Sequence, residues 1–336
     1  MGIWRTKQFP VWGSCLVLET ERLQVAVTLE WGPRICLLAG RKGRNFMSEN
    51  PLEVDVPGIG TYKLRGGHRL WRSPEVLQDT YIPDESPVRV ETGTGPMLRQ
   101  ESGSQRAPGH PEGRAVDPED GSSVCSGEPL CFVQQADPFT GVEKALTLWV
   151  DDQGDLRVGH RLTNRGHTPL RMAAWAITAL RPGGTGLILT AFQPKPGFQP
   201  DRSLVLWPYT DLADERIRFR PEGIWVRAVS GHPEPLKIGW QGPGEEPLTM
   251  AYLLEDEVFV KSFDRKPGSY PDLGVSGELY TDGYGLELES LSALETVEPG
   301  GSVFLTETWK VLPEEDFLAG CIQALPSAGI AKPVNS

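Results

Sequence analysis

The sequence predicts an all-β protein: a large antiparallel sandwich followed by a short C-terminal helix. Three observations carry this. Apolar and polar residues alternate with period two from end to end, turn clusters rich in Gly, Pro and Asp separate the alternating runs, and a helical pattern occurs only near the C-terminus.

The elements follow in chain order. Arg22–Leu29 places Leu23, Val25, Val27 and Leu29 on one strand face. Ala145–Val150 and Asp155–Asn164 repeat the alternation, and Asp151-Asp-Gln-Gly154 between them reads as a turn. Ala251–Leu254, Val258–Phe263 and Val303–Val311 continue it, with Pro182-Gly-Gly184 and Glu298-Pro-Gly-Gly301 as further turns. From Pro313 to Leu325 acidic residues occupy the first turn of an apolar run, which suits the positive end of a helix dipole. No strict repeat and no domain boundary interrupts the pattern. The expectation is one domain over residues 1–336, with its core at about 10–312 and its helix at about 313–325. Residues 99–128 depart from it. They are poor in apolar side chains and dense in Gly, Pro and Ser, which reads as a mobile loop or a lid over a site.

Composition excludes several functions. With 33 basic against 45 acidic side chains the net charge is −12, so neither a nucleic-acid footprint nor a polybasic membrane contact is expected. No run approaches the ~18–20 apolar residues of a membrane helix, and Met1–Pro10 lacks the pattern of a signal peptide, so the expected location is cytoplasmic. The 5 cysteines are an odd number without metal spacing, and Cys125 and Cys131 are expected as free thiols. No zinc, Walker or dinucleotide motif is present, so no metal and no cofactor is expected. Oligomeric state is not readable.

Two segments concentrate chemistry. Gly66-Gly-His-Arg-Leu-Trp-Arg-Ser-Pro-Glu75 gathers His68, Arg65, Arg69, Arg72, Trp71 and Glu75. It reads either as a ligand loop, with an indole to stack on a pyranose and guanidinium groups to hold hydroxyls or anions, or as a surface loop with a packed Trp. In Gly285-Leu-Glu-Leu-Glu-Ser-Leu291 a strand sends Leu286 and Leu288 to one face and Glu287 and Glu289 to the other. Those carboxylates form either a solvated face or the wall of a polar cleft. Lys261, Asp272, Glu278, Tyr280 and Asp282 crowd the preceding stretch. His160 reads as a half-buried strand residue, and Trp175 as a core aromatic or a sugar platform.

The order of these segments resembles the galactose mutarotase-like superfamily, which includes aldose 1-epimerases and hexose-phosphate mutarotases. The resemblance rests on Leu29–Leu38 with Asn45-Phe-Met47, on Gly66–Trp71, on Leu162–Pro169 with Met172–Ile177, and on Gly285–Glu289, Glu298–Ser302 and Thr306–Trp309. It implies a β-supersandwich with a carbohydrate site on a concave face and a small-molecule sugar as partner. It implies Glu289 as catalytic base, His68 as a family histidine that would serve as acid, and Arg69 as a sugar-binding neighbour. With Trp71, Glu75, Lys261, Asp272, Tyr280 and Glu287, these are expected to line one pocket. Trp175 stands where the galactose enzymes carry a second histidine, their general acid. The implied activity is interconversion of sugar anomers by acid/base ring opening; the alternative, which Trp175 favours, is carbohydrate binding without turnover.

Overall fold

A computed structural model of the chain describes residues 2–92, 114–115, 127–190, 198–242 and 246–324. Its strands form two large sheets in which every pairing is antiparallel. Across the first sheet the order is β1 (Ile3–Phe9), β2 (Gly13–Glu19), β3 (Gln24–Thr28), β4 (Ile35–Ala39), β7 (His68–Ser73), β13 (Leu170–Leu180), β22 (Gly285–Leu291), β21 (Gly277–Asp282), β18 (Leu236–Gln241) and β15 (Ser203–Leu206). A short strand, β23 (Glu295–Val297), pairs with the start of β13. The second sheet runs β16 (Ile217–Arg220), β17 (Gly223–Arg227), β14 (Thr185–Leu189), β19 (Leu248–Leu254), β20 (Glu257–Phe263), β24 (Ser302–Pro313), β12 (Leu156–Asn164), β11 (Val142–Val150), β10 (Leu130–Gln134), β8 (Val88–Thr92) and β9 (Arg114–Ala115). A separate hairpin joins β5 (Glu49–Val56) to β6 (Gly60–Gly66).

The sheets pack face to face, and one apolar cluster draws on both. Leu18, Val25, Leu70, Leu286 and Leu288 come from the first sheet, and Leu146, Leu162, Phe259, Leu305 and Trp309 from the second. Alternation is clearest on β24, where Val303, Leu305, Glu307 and Trp309 turn inward while the residues between them are half-buried. The run Met172–Leu180 on β13 is buried at every position because both faces are covered. Its inner face meets the second sheet. Its outer face carries Trp175 and Ile177 into a smaller cluster with Trp71, Leu291, and Val56 and Tyr62 of the β5–β6 hairpin.

The C-terminal helix expected at about 313–325 is α2 (Glu314–Ala324), with Phe317 packed against Leu187, Ala251 and Val258. Two features differ from the expected boundaries. Pairing starts at Ile3, before the expected core edge near residue 10, because Trp4 is buried against Phe132. A one-turn helix, α1 (Leu77–Thr80), follows β7. The loop expected over 99–128 lies outside the described residues except for 114–115 and 127–128, as does Cys125; Cys15, Cys36 and Cys131 are free thiols. Among the described residues no helix is long and apolar enough to cross a membrane.

The segment 66–75 is not a surface loop. His68–Ser73 is a central strand between β4 and β13. Its entry requires glycine: Arg65, Gly66 and Gly67 have φ of 56°, 87° and 68°. A Cβ on Gly66 would lie 2.2 Å from the Ser48 carbonyl oxygen, and one on Gly67 2.7 Å from that of Ile35.

An ion pair sits inside the sandwich. Lys261 Nζ of β20 is 3.0 Å from Glu307 Oε1 of β24, and both side chains are fully buried. The ammonium also donates to Leu288 O at 2.9 Å and Thr178 Oγ1 at 3.2 Å, which ties the second sheet to β22 and β13. Trp309 Nε1 donates to Glu307 Oε2 at 2.7 Å. Lys261→Met should destabilise the fold by about 3–5 kcal/mol, because it strands a buried carboxylate. Lys261→Met/Glu307→Gln should recover much of that loss. Urea unfolding of both variants is the check; equal losses would show that the charge left behind is not the cause.

Candidate functional site

The pleat divides the expected site residues between two faces of the first sheet. Arg69, Ile177, Glu289 and Glu278 are directly paired across β7, β13, β22 and β21. The adjacent row is His68, Thr178, Leu288 and Leu279. Neighbours along a strand point to opposite faces, so the first row faces out and the second faces the second sheet. Two residues further along each strand, Trp71, Trp175, Glu287 and Tyr280 return to the outer face, and Lys237 of β18 pairs with Tyr280.

Lysine and two glutamates make the centre of the outer face. Lys237 Nζ is 2.7 Å from Glu278 Oε2 and 2.9 Å from Glu289 Oε2. It stands over the rings of Trp175 and Trp207 at 4.8 and 4.7 Å, an arrangement that favours a cation. Trp175 Nε1 donates to the same Glu289 oxygen at 2.7 Å. Arg69 Nη1 donates to Glu287 Oε1 at 2.9 Å, and its guanidinium lies 4.3 Å from the ring of Trp71. Trp71 in turn packs edge-on to Trp175 and donates to the Tyr62 hydroxyl at 2.9 Å. Arg34, buried and paired with Asp84 at 3.0 Å, also donates to that hydroxyl and to the Gly66 carbonyl, which holds the β5–β6 hairpin beside the aromatic wall.

These surroundings separate the two central carboxyls. Burial pushes Glu278 well above the usual carboxylate range; Lys237 opposes this and the charge of Glu289 adds to it. Burial also acts to raise Glu289, but the Lys237 charge and the hydrogen bonds from Glu278, Lys237 and Trp175 outweigh it and bring it below its ordinary value. Burial acts to lower Lys237, and its two glutamates override this and raise it well above its ordinary value. The two neighbouring carboxyls are shifted in opposite directions, the pattern that separates an acid from a base. Burial likewise raises Glu287, offset in part by Arg69, and raises Asp272 at the rim. The turn carrying Asp272 is left-handed at two non-glycine residues, Asp272 and Leu273, with φ of 51° and 61°. Glu75 and Tyr209 are exposed at the rim, and Tyr280 is half-buried there.

His68 and Lys261 do not belong to this face. Both are fully buried between the sheets, so the expected pairing of Glu289 with His68 is not formed, and the expected single pocket loses these two members. His160, expected to be half-buried, is fully buried as well. His160 Nδ1 lies 3.0 Å from Leu305 O and donates to it, which leaves His160 Nε2 as an acceptor for His68 Nε2 at 2.7 Å. His68 Nδ1 then accepts from Thr178 Oγ1 at 2.9 Å, and Thr178 accepts from Lys261. His68, His160 and Glu307 present ligand atoms within 4.8 Å of one another. The Lys261 ammonium already supplies the positive charge there, and the two ring nitrogens share a proton, so the cluster is a hydrogen-bonded chain and not a metal centre.

A cavity of about 570 Å³ lies elsewhere, lined by Arg157, Ser262, Thr306 and Thr308 of the second sheet and by the 292–295 turn. It shares Tyr270 with the aromatic wall of the Glu289 face. We place the candidate site at the Glu289 face because the buried, oppositely shifted carboxyls are there.

Solved structures share this architecture. A Klebsiella pneumoniae protein provisionally named an aldose 1-epimerase aligns over 92% of this chain and 82% of its own, at 11% identity and a TM-score of 0.54. The fold is mutarotase-like. A TPR-domain-containing protein from Parabacteroides distasonis aligns over 96% of this chain but 50% of its own, at 10% identity and a TM-score of 0.50. A galactose mutarotase-like protein from Lactobacillus casei is 10% identical over 89% of this chain and 100% of its own, with a TM-score of 0.47. Identities this low concern the fold alone. No family model and no curated protein matches the chain.

On this mutarotase-like frame the outer face gathers Arg69, Trp71, Trp175, Glu287 and Glu289 at its floor and Glu75, Asp272 and Tyr280 around them. Sequence reasoning missed Lys237. Its signal was present: Leu236, Ile238 and Trp240 alternate as core residues, which sends Lys237 to the other face.

The inner chain yields a pH prediction. Burial depresses both His68 and His160 below the ordinary 6.5. Just below pH 6.5 the unfolded chain therefore binds more protons than the native one, and stability must fall as pH drops through this window. Protonating either ring also breaks the chain of donors. Urea unfolding at pH 7.5 and 5.5 should show the loss, and His160→Gln should flatten it.

Proposed function

We propose that the protein binds a carbohydrate at the outer face of the first sheet and interconverts its anomers by acid/base ring opening. The observation that supports this most is the pair Glu278 and Glu289, both within 2.9 Å of Lys237 Nζ and shifted in opposite directions, at the floor of an aromatic-walled, carboxyl-rich face. Glu289 takes the proton of the anomeric hydroxyl while Glu278 gives its proton to the ring oxygen. The ring opens, the carbonyl rotates, and closure from the other face returns both protons. Trp71 and Trp175 are buried against Arg69 and Lys237, and the half-buried Trp207 with the exposed Tyr209 offers ring surface for the apolar face of a pyranose. Glu278 thereby takes the acid role expected of His68, which lies behind the sheet. Aldose 1-epimerase is the name borne by the Klebsiella protein of like fold; for this chain the activity is a proposal from the site.

One observation favours a second reading, carbohydrate binding without turnover. Glu289 Oε2 already accepts from both Lys237 and Trp175, and a carboxylate stabilised in this way is a weaker base.

Anomerisation of D-glucose and D-galactose followed by proton NMR tests the two readings. Glu289→Gln and Glu278→Gln should each lower the rate by about 10²–10⁴-fold, the usual worth of a positioned acid or base, while sugar binding persists. Glu287→Gln should cost less, since that carboxylate pairs with Arg69 away from the central lysine. Binding by the parent protein with no rate above buffer would favour the second reading, and no sugar binding at all would remove both.

A further inference from the structure

The arginine-rich segment 65–72 invites a phosphate, but its charges are already answered. Arg65 Nη2 lies 2.6 Å from Glu85 Oε1, and Arg72 Nη1 is 3.3 Å from Asp79. On the outer face itself Arg69 is held by Glu287, and Lys237 by Glu278 and Glu289 together. Phosphate and carboxylate ligands are recognised by cations whose donors are available to fork onto them. Here Arg69 is nearly buried beneath Trp71 and its carboxylate, and Lys237 lies between two indoles. The groups facing the rim are Glu75, Asp272 and Asp282 with the hydroxyls of Tyr209 and Tyr280, so further negative charge surrounds the entrance. An anion entering would meet carboxylates first and find both cations engaged.

Resting on the carbohydrate reading above, we infer that the site takes an uncharged sugar and excludes phosphorylated sugars and uronates. Hydroxyl groups suit it: the carboxyls accept from them, the tyrosines do both, and the half-buried Trp207 supplies apolar surface. A sugar phosphate would need a carboxylate to be displaced from Arg69 or Lys237, which leaves a buried charge without its partner.

The test is competition within chemically matched pairs: D-glucose against glucose 6-phosphate, and D-galactose against D-galacturonate, by ligand-observed NMR on the whole protein. The neutral member should bind at least about tenfold more tightly. Glu287→Gln, which releases Arg69, should narrow the gap by raising affinity for glucose 6-phosphate. If that variant does not fold, Glu75→Gln at the exposed rim makes the same measurement with a smaller expected change. Preference of the parent protein for glucose 6-phosphate or galacturonate would overturn this inference and leave the carbohydrate reading standing. An unchanged gap in folded Glu287→Gln would also overturn it, because charge balance would not be the cause. Binding of none of the four sugars would remove both.

Discussion

The pleat of three adjacent strands governs what this molecule can do. On β7, β13 and β22 the pairs His68–Arg69, Thr178–Ile177 and Leu288–Glu289 lie side by side. In each pair one residue enters the sandwich and its neighbour leaves it. A register slip of one residue would exchange the two sets and place Arg69 and Glu289 in the apolar core. The inner leucines therefore fix the outer carboxylates. The burial of Leu286 and Leu288 against the second sheet is what lets Glu287 and Glu289 be held so tightly on the other side.

Both faces carry a buried lysine with a glutamate, and the two are built differently. Between the sheets, each nitrogen of His68 and His160 has a partner, and Lys261 reaches Glu307, Leu288 O and Thr178. On the outer face the ion pairs are as short, and both oxygens of Glu278 and Arg69 Nε lack a well-aligned hydrogen bond, as Glu307 Oε1 does on the inner face. Buried charge is expensive and seldom the cheapest way to hold a fold together. The inner cluster, fully buried, connects the two sheets. The outer cluster retains hydrogen-bonding capacity at the place where Glu278 and Glu289 differ in ionisation, which is the combination a proton-transfer or polar-ligand site needs.

The sandwich was legible in the sequence because period two is a direct consequence of strand geometry, and Gly285–Leu291 proved to be the expected strand with the expected division of leucine and glutamate. The C-terminal helix was legible through its acidic first turn. The face of His68 was not assigned, because Gly66–Glu75 read as a loop. A loop imposes no alternation, so His68 and Arg69 were expected together. The same alternation separates them once the segment is recognised as a central strand. Lys261 was misplaced for a related reason: Val258, Val260 and Ser262 against Phe259, Lys261 and Phe263 is a mixed pattern, and a lysine among inward residues is stable only with a partner such as Glu307, 46 positions away in sequence. Lys237 escaped notice because it is distant in sequence from both segments and gains its meaning only through pairing with Tyr280 on β21.

Trp175 decides what proton chemistry the outer face can hold. An indole N–H donates a hydrogen bond but does not exchange its proton near neutral pH, whereas an imidazole does both. With Trp175 at the centre, bonded to Glu289, the protons available at this face reside on Glu278, Glu287, Asp272 or Lys237. Lys237 is raised well above its ordinary value by its two glutamates, so it retains its proton and acts as a fixed positive charge. Asp272 is at the rim, raised by burial but set back from the paired strands. Glu278 alone combines a raised proton affinity with a place directly opposite Glu289 in the sheet register. An indole at this position thus does not empty the face of acid chemistry. The donor lies on β21 instead: burial and the charge of Glu289 raise Glu278 against the pull of Lys237, while Lys237 holds Glu289 low.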